Sequence, residues 1–181
     1  MKMRRLISAI IALLLVVNLS VTAFAAEWYL EDGDITVSAG DSGQTVSQGS
    51  STGVADNAPV IKQHDSSKTT DSTITISTSD NATANVTIQD INISSNGDAI
   101  DVGSSSANIT LEGDNKIFSE SGSALHVSDG DVTITGSGSL EAEIGDSTEN
   151  ENDNAIIGSH KGEDMSGKIH ITGSATVTTE D

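Results

Sequence analysis

The chain has 181 residues, with 27 Asp and Glu against 8 Lys and Arg, no Cys, and 2% aromatic residues. The absence of Cys excludes disulfide scaffolds, zinc–thiolate sites and cysteine nucleophiles. A formal charge of −19 argues against nucleic acid or an anionic membrane surface as a partner, because both would repel it.

Taken in chain order, residues 1–25 read as a secretory signal peptide. Lys2, Arg4 and Arg5 form a basic start, an apolar run spans Leu6 to Val17, and Ala23-Phe24-Ala25 supplies the small-x-small cleavage pattern. Cleavage there removes three basic residues, and with them every Arg. The five that remain are all Lys, and the formal charge becomes −22. The mature chain is therefore expected to be exported, with no membrane segment left after cleavage. Without a guanidinium fork, an anionic ligand must be held by Lys, backbone N–H groups or a bridging cation.

Residues 26–83 read as an N-terminal cap followed by one or two irregular units. Trp28, Tyr29 and Leu30 are expected to close one end of the core. Ile35, Val37, Val46, Val60, Ile61, Ile74 and Ile76 sit in short alternating runs, and the polar stretch 62–72 reads as a loop.

Residues 84–181 carry a repeat. Asn85-Val-Thr-Ile88 is followed 23 residues on by Asn108-Ile-Thr-Leu111, after another 23 by Asp131-Val-Thr-Ile134, and after 37 by Lys168-Ile-His-Ile171. Gly113, Gly136 and Gly173 follow three of these runs, and Asp90 stands at the same offset in the first. A second apolar position comes next, at Ile93, Ile117, Leu140 and Val177. A third short strand recurs at Ala99–Val102, Ala124–Val127 and Ala155–Gly158. No segment of the mature chain has helical periodicity. Similarity between units about 23 residues apart, rather than between adjacent strands, predicts parallel stacking. The expected fold is all-β: a right-handed, single-stranded parallel β-helix of about five coils, with three short strands per coil. Aliphatic side chains suit such a narrow interior, which accounts for the scarcity of aromatics. Thr87, Thr110 and Thr133 are expected to form one outward column, shared by His170. A single Thr per unit is too narrow a ladder to make ice binding the leading reading.

Two insertions interrupt the period, an acidic one at 145–154 and a second at 159–166. Insertions in repeat folds fall on the surface and often mark the working face. Asp146, Glu149, Glu151 and Asp153 supply four carboxylates within eight residues, which suits calcium, a cation that takes six to eight oxygen ligands. The spacing matches neither the Asp-x-Asp-x-Asp-Gly loop nor the Gly-Gly-x-Gly-x-Asp repeat. At the last strand, Glu180 and Asp181 either blunt an open edge by charge or leave it to pair end to end with another copy.

Several runs in order carry a resemblance: Trp28-Tyr-Leu-Glu-Asp-Gly-Asp-Ile35, Asn57-Ala-Pro-Val-Ile61, Glu112-Gly-Asp-Asn115, Gly136-Ser-Gly-Ser-Leu140, Ala155-Ile-Ile-Gly158 and Gly167-Lys-Ile-His-Ile-Thr-Gly173. The chain resembles the secreted and surface carbohydrate-binding domain-containing β-helix proteins of Clostridia and related Gram-positive bacteria, which look like non-catalytic relatives of pectate lyases. Where that family typically has Ala-x-Ile-Gly-Gly-Gly, this chain reads Ala-Ile-Ile-Gly-Ser-His at 155–160. The resemblance implies a secreted or cell-surface protein whose partner is a polysaccharide or cell-surface glycan.

The residues argue against catalysis. A pectate-lyase mechanism uses an Arg base, and the mature chain has none. Carboxylates stand at nearly every turn, where Asp has its own local hydrogen-bonding role. The four His, at 64, 126, 160 and 170, are scattered in sequence, whereas a zinc site needs three converging ligands. His126 and His170 are expected on outward strand positions of different faces. Candidate glycan contacts are Asp98, Asp101, Asp114, Asn115, Thr87, Thr110 and Thr133. The leading expectation is a non-catalytic extracellular carbohydrate-binding or adhesion module with calcium as its candidate cation. The alternatives are a structural solenoid that self-associates end to end and, further off, a polysaccharide-degrading enzyme.

Overall fold

The computed structural model describes residues 25–79, 81–145 and 154–180. In chain order the strands are β1 (Glu27–Tyr29), β2 (Ile35–Gly40), β3 (Gly43–Gln48), β4 (Ser51–Ala55), β5 (Val60–Lys62), β6 (Ile74–Thr78), β7 (Thr83–Gln89), β8 (Asn92–Ser95) and β9 (Ile100–Gly103). They continue with β10 (Ser106–Glu112), β11 (Asp114–Ser119), β12 (Leu125–Val127), β13 (Val132–Gly136), β14 (Ser139–Ile144), β15 (Ile157–Gly158), β16 (Ile169–Ile171) and β17 (Thr176–Glu180). The helical content of the described residues is one 3₁₀ turn, Leu30–Asp32. The structure is all-β, as expected.

The strands form three sheets. Sheet I runs β1-β5-β7-β10-β13-β16, sheet II runs β8-β11-β14-β17, and sheet III runs β4-β3-β2-β6-β9-β12-β15. From β7 onward the chain visits sheets I, II and III in turn, and successive visits pair in parallel. Because side chains alternate across a strand, each visit sends every second residue inward. The inward residues join one aliphatic core. Ile61, Ile88, Leu111, Ile117 and Leu125 are each 1% exposed or less, and burying each such side chain contributes about 1.5–3 kcal/mol. Among the described residues, Trp28 is the one aromatic in this core, beside Leu30, at its N-terminal end.

Two expectations are corrected, the first of them about register. The pairing step is 23 residues from β7 to β10 (Thr87 to Thr110), 24 from β8 to β11 (Ile93 to Ile117) and 25 from β10 to β13 (Ile109 to Ile134). The turns absorb the extra residues. Thr110 therefore pairs with Thr135 rather than Thr133. Thr133 instead joins the column of Asn85, Asn108 and His170. Likewise Ile117 pairs with Ala142, and Leu140 pairs with Asn115. Each slip is of two residues, so inward positions stay inward and the core pattern survives.

Gly113 shows why one turn needs glycine. Its φ is +63°, and a Cβ there would lie 1.9 Å from Asp90 Oδ1. That oxygen accepts the Asp114 N–H at 3.2 Å. Asp90, which stands in the first unit where later units have Gly, is itself left-handed at φ 51°.

The second correction concerns residues 35–55, expected within one or two looser units; β2 does pair in parallel with β6, but its other neighbour differs. There β2, β3 and β4 form an antiparallel meander at the edge of sheet III. Two-residue connections at Asp41-Ser42 and Gly49-Ser50, flanked or filled by Gly, are hairpin signals. Gln44 fastens the meander to sheet I: its Oε1 accepts the Asn85 N–H at 2.7 Å and its Nε2 donates to the Asn85 carbonyl at 2.9 Å. Asp56, 1% exposed, holds the N-terminal strand by accepting Trp28 Nε1–H at 3.0 Å and the Ala26 N–H at 3.1 Å.

Candidate functional site

Two surfaces bring chemistry-bearing residues together. The first is the outer face of sheet II. Register places Asn92, Lys116, Glu141 and Thr178 in one outward column, and Ser94, Phe118, Glu143 and Glu180 in the next. Asn92, Ser94, Lys116, Phe118, Glu141 and Glu143 line a shallow depression there together with Thr69. Phe118 is half-buried on this outer face, because its neighbours Ile117 and Ser119 take the inward positions. Lys116 bridges to Glu141 at 2.6 Å, and that hydrogen bond raises the ammonium's pKa. Asp114 continues the face and accepts from Ser139 Oγ at 2.9 Å.

The second lies on sheet III, where β9 and β12 adjoin the 159–166 segment. Register sets His126 against Asp101, and His126 Nδ1 is 2.8 Å from Asp101 Oδ1. His126 Nε2 is 3.0 Å from Glu163 Oε2. His160 stacks on His126, with ring centroids 3.9 Å apart and planes 3° from parallel. His160 Nε2 is 2.7 Å from Asp98 Oδ1, an oxygen that also accepts the Ser123 N–H at 2.7 Å. Burial alone would lower the pKa of His126, but its hydrogen bonds to Glu163 and Asp101 outweigh this and raise it. The same contact with His126 lowers the pKa of Glu163.

The sequence-derived candidates distribute as follows. Asp98 and Asp101 converge on the histidine pair. Asp114 faces outward on sheet II, and Thr87 and Thr110 share an outward column of sheet I while Thr133 stands in the neighbouring one. Asn115 is corrected: it is 1% exposed and points inward. Its Oδ1 accepts the Ile91 N–H, and its Nδ2 donates to the Glu112 and Ser139 carbonyls. Asp146, Glu149, Glu151 and Asp153 lie outside the described residues.

The convergence of His126 with His160 is the feature the sequence reading missed. His126 does stand on an outward strand position, but the 159–166 segment covers it, leaving the residue 8% exposed. The available signal was a second insertion carrying His160 and Glu163 three residues apart, next in the chain to the strand that pairs with His126. No protein-family model matches the chain, and no curated protein or solved structure matches it.

Proposed function

We propose that the protein is a secreted, non-catalytic extracellular module that binds a polysaccharide or cell-surface glycan through the outer face of sheet II. The observation that carries this reading is the half-buried Phe118 ring between Ser94 and Glu143, one column from Asn92, Lys116 and Glu141. An aromatic ring offers an apolar platform for the C–H face of a sugar. Amide, ammonium and carboxylate groups at strand spacing of about 4.8 Å offer hydrogen bonds to its hydroxyls. The reading takes the three sheets as the faces of a right-handed parallel β-helix, and residues 1–25 as the export signal. It also agrees with the resemblance to secreted carbohydrate-binding β-helix proteins. A flat, open face predicts weak binding strengthened by multivalency.

A glycan array probed with the chain and with Phe118→Ala, each with and without calcium, tests this. Binding to a glycan class that Phe118→Ala abolishes supports it, and the calcium arm assesses the acidic insertion 145–154. Failure to bind any glycan in either condition refutes it. End-to-end self-association is the second reading, favoured by β16, whose Ile171 is 52% exposed. Sedimentation that shifts with concentration, and reverts in Ile171→Lys, would support it.

A further inference from the structure

The histidine cluster on sheet III points to something the glycan reading does not use. Among the described residues, Asp98, His126 and His160 bring one ligand atom each within 4.8 Å of one another. The rings are oriented alike. His126 Nδ1 and His160 Nε2 face Asp98, at 3.7 and 2.7 Å. The remote nitrogens, His126 Nε2 and His160 Nδ1, face Glu163 at 3.0 and 3.9 Å. A neutral imidazole has one N–H and one lone pair. His126 has carboxylates within hydrogen-bond reach at both ends and an N–H for only one of them, whereas His160 has Asp98 in reach and Glu163 at 3.9 Å, beyond it.

We propose that Asp98, His126 and His160 form a binding site for a single divalent transition-metal ion of the zinc class. One dication on the Asp98 side takes the lone pair of each neutral ring. The N–H groups then point to Glu163. A carboxylate behind a ligating histidine fixes its tautomer and strengthens it as a ligand, and Glu163 holds that place. Asp101, 2.8 Å from His126 Nδ1, or water completes the coordination. Two imidazole nitrogens and a carboxylate suit zinc, nickel or copper and disfavour calcium or magnesium, which take oxygen ligands. Bonds of about 2.0–2.2 Å in a tetrahedron separate ligand atoms by roughly 3.4 Å. His160 Nε2 to Asp98 Oδ1 at 2.7 Å and His126 Nδ1 to Asp98 Oδ2 at 3.7 Å, one to each carboxylate oxygen, lie on either side of that value. Parallel rings send their in-plane lone pairs alongside one another, so binding requires the stack to splay. His160 lies outside any strand and is the ring free of the ladder, whereas His126 is held in β12.

The test uses the full secreted chain, stripped with EDTA and titrated with Zn2+ by calorimetry, with Co2+ as an optical probe. The expected result is one zinc per chain, tetrahedral visible bands for Co2+, and no displacement by excess calcium. His160→Ala, a half-buried position that leaves the strands intact, should reduce zinc binding to the background of the acidic surface. Glu163→Gln should weaken it by about 10- to 100-fold. Asp41→Asn with Asp71→Asn, exposed carboxylates outside the cluster, should leave it unchanged. Zinc binding that survives His160→Ala, that calcium displaces, or that is absent from the parent chain overturns the proposal. Far-UV circular dichroism of each variant separates loss of the site from loss of the fold.

Discussion

Asn115→Ala distinguishes a structural residue from a ligand contact. The side chain is 1% exposed and makes three backbone hydrogen bonds, at 3.3 Å from the Ile91 N–H, 3.1 Å to the Glu112 carbonyl and 2.9 Å to the Ser139 carbonyl. Alanine leaves one N–H and two carbonyls without that partner, in a place water reaches poorly. At about 1 kcal/mol for each lost bond, plus a small cavity, the cost is about 3–5 kcal/mol. For a chain of this size that corresponds to a fall in Tm of roughly 10 °C. Urea unfolding followed through Trp28 emission reads it directly, since Trp28 is 9% exposed and lies in the core. A loss below about 1 kcal/mol would refute the bond accounting. Unchanged stability with abolished glycan binding would return Asn115 to the list of ligand contacts.

Three further outcomes are expected. Gly113→Ala should cost about 1–2 kcal/mol for the left-handed backbone, and more as Asp90 is pushed off the Asp114 N–H; a Tm equal to the parent's would contradict the turn geometry. Asp56→Ala should destabilise the N-terminal end by about 1–3 kcal/mol and red-shift Trp28 emission, because Trp28 Nε1 and the Ala26 N–H lose their acceptor. Asp65 is held down to about 2 by Lys68 and by Ser67. Because its folded pKa is depressed, the stabilisation it gives is full above the ordinary value of 3.8 and fades as pH falls toward 2. Carboxyl NMR titration should place its midpoint near 2, and Lys68→Ala should move it back toward 3.8.

What could be read from sequence was what periodicity encodes. The alternation in Asn85–Ile88 and Asn108–Leu111 places Val86, Ile88, Ile109 and Leu111 inside, and all four are buried. The parallel partnership of those runs followed from their spacing. Absolute register beyond them did not, because turns that grow by one or two residues leave no trace in an alternating pattern. The meander at 35–55 escaped because its Gly-bounded turns resemble the other loops of a Gly- and Ser-rich chain. The histidine pair escaped for a different reason: His126 and His160 lie 34 residues apart and meet only because the 159–166 segment folds back over β12. Asp98 and Asp101, candidate glycan contacts by sequence, stand beside histidines that the sequence does not place near them.

The uneven pairing steps have a practical consequence. Partners 23, 24, 25 and 37 residues apart all pair in register (Thr87 with Thr110, Ile93 with Ile117, Ile109 with Ile134, Ile134 with Ile171). The ladder thus reads strand positions and ignores the length of chain between them. The connecting segments are cassettes whose length can drift or be engineered while the core stays in phase. Peptides grafted at Lys161-Gly162, an exposed turn within the 37-residue step where a Cβ on Gly162 would meet nothing within 4 Å, should be displayed without disturbing a single strand pair.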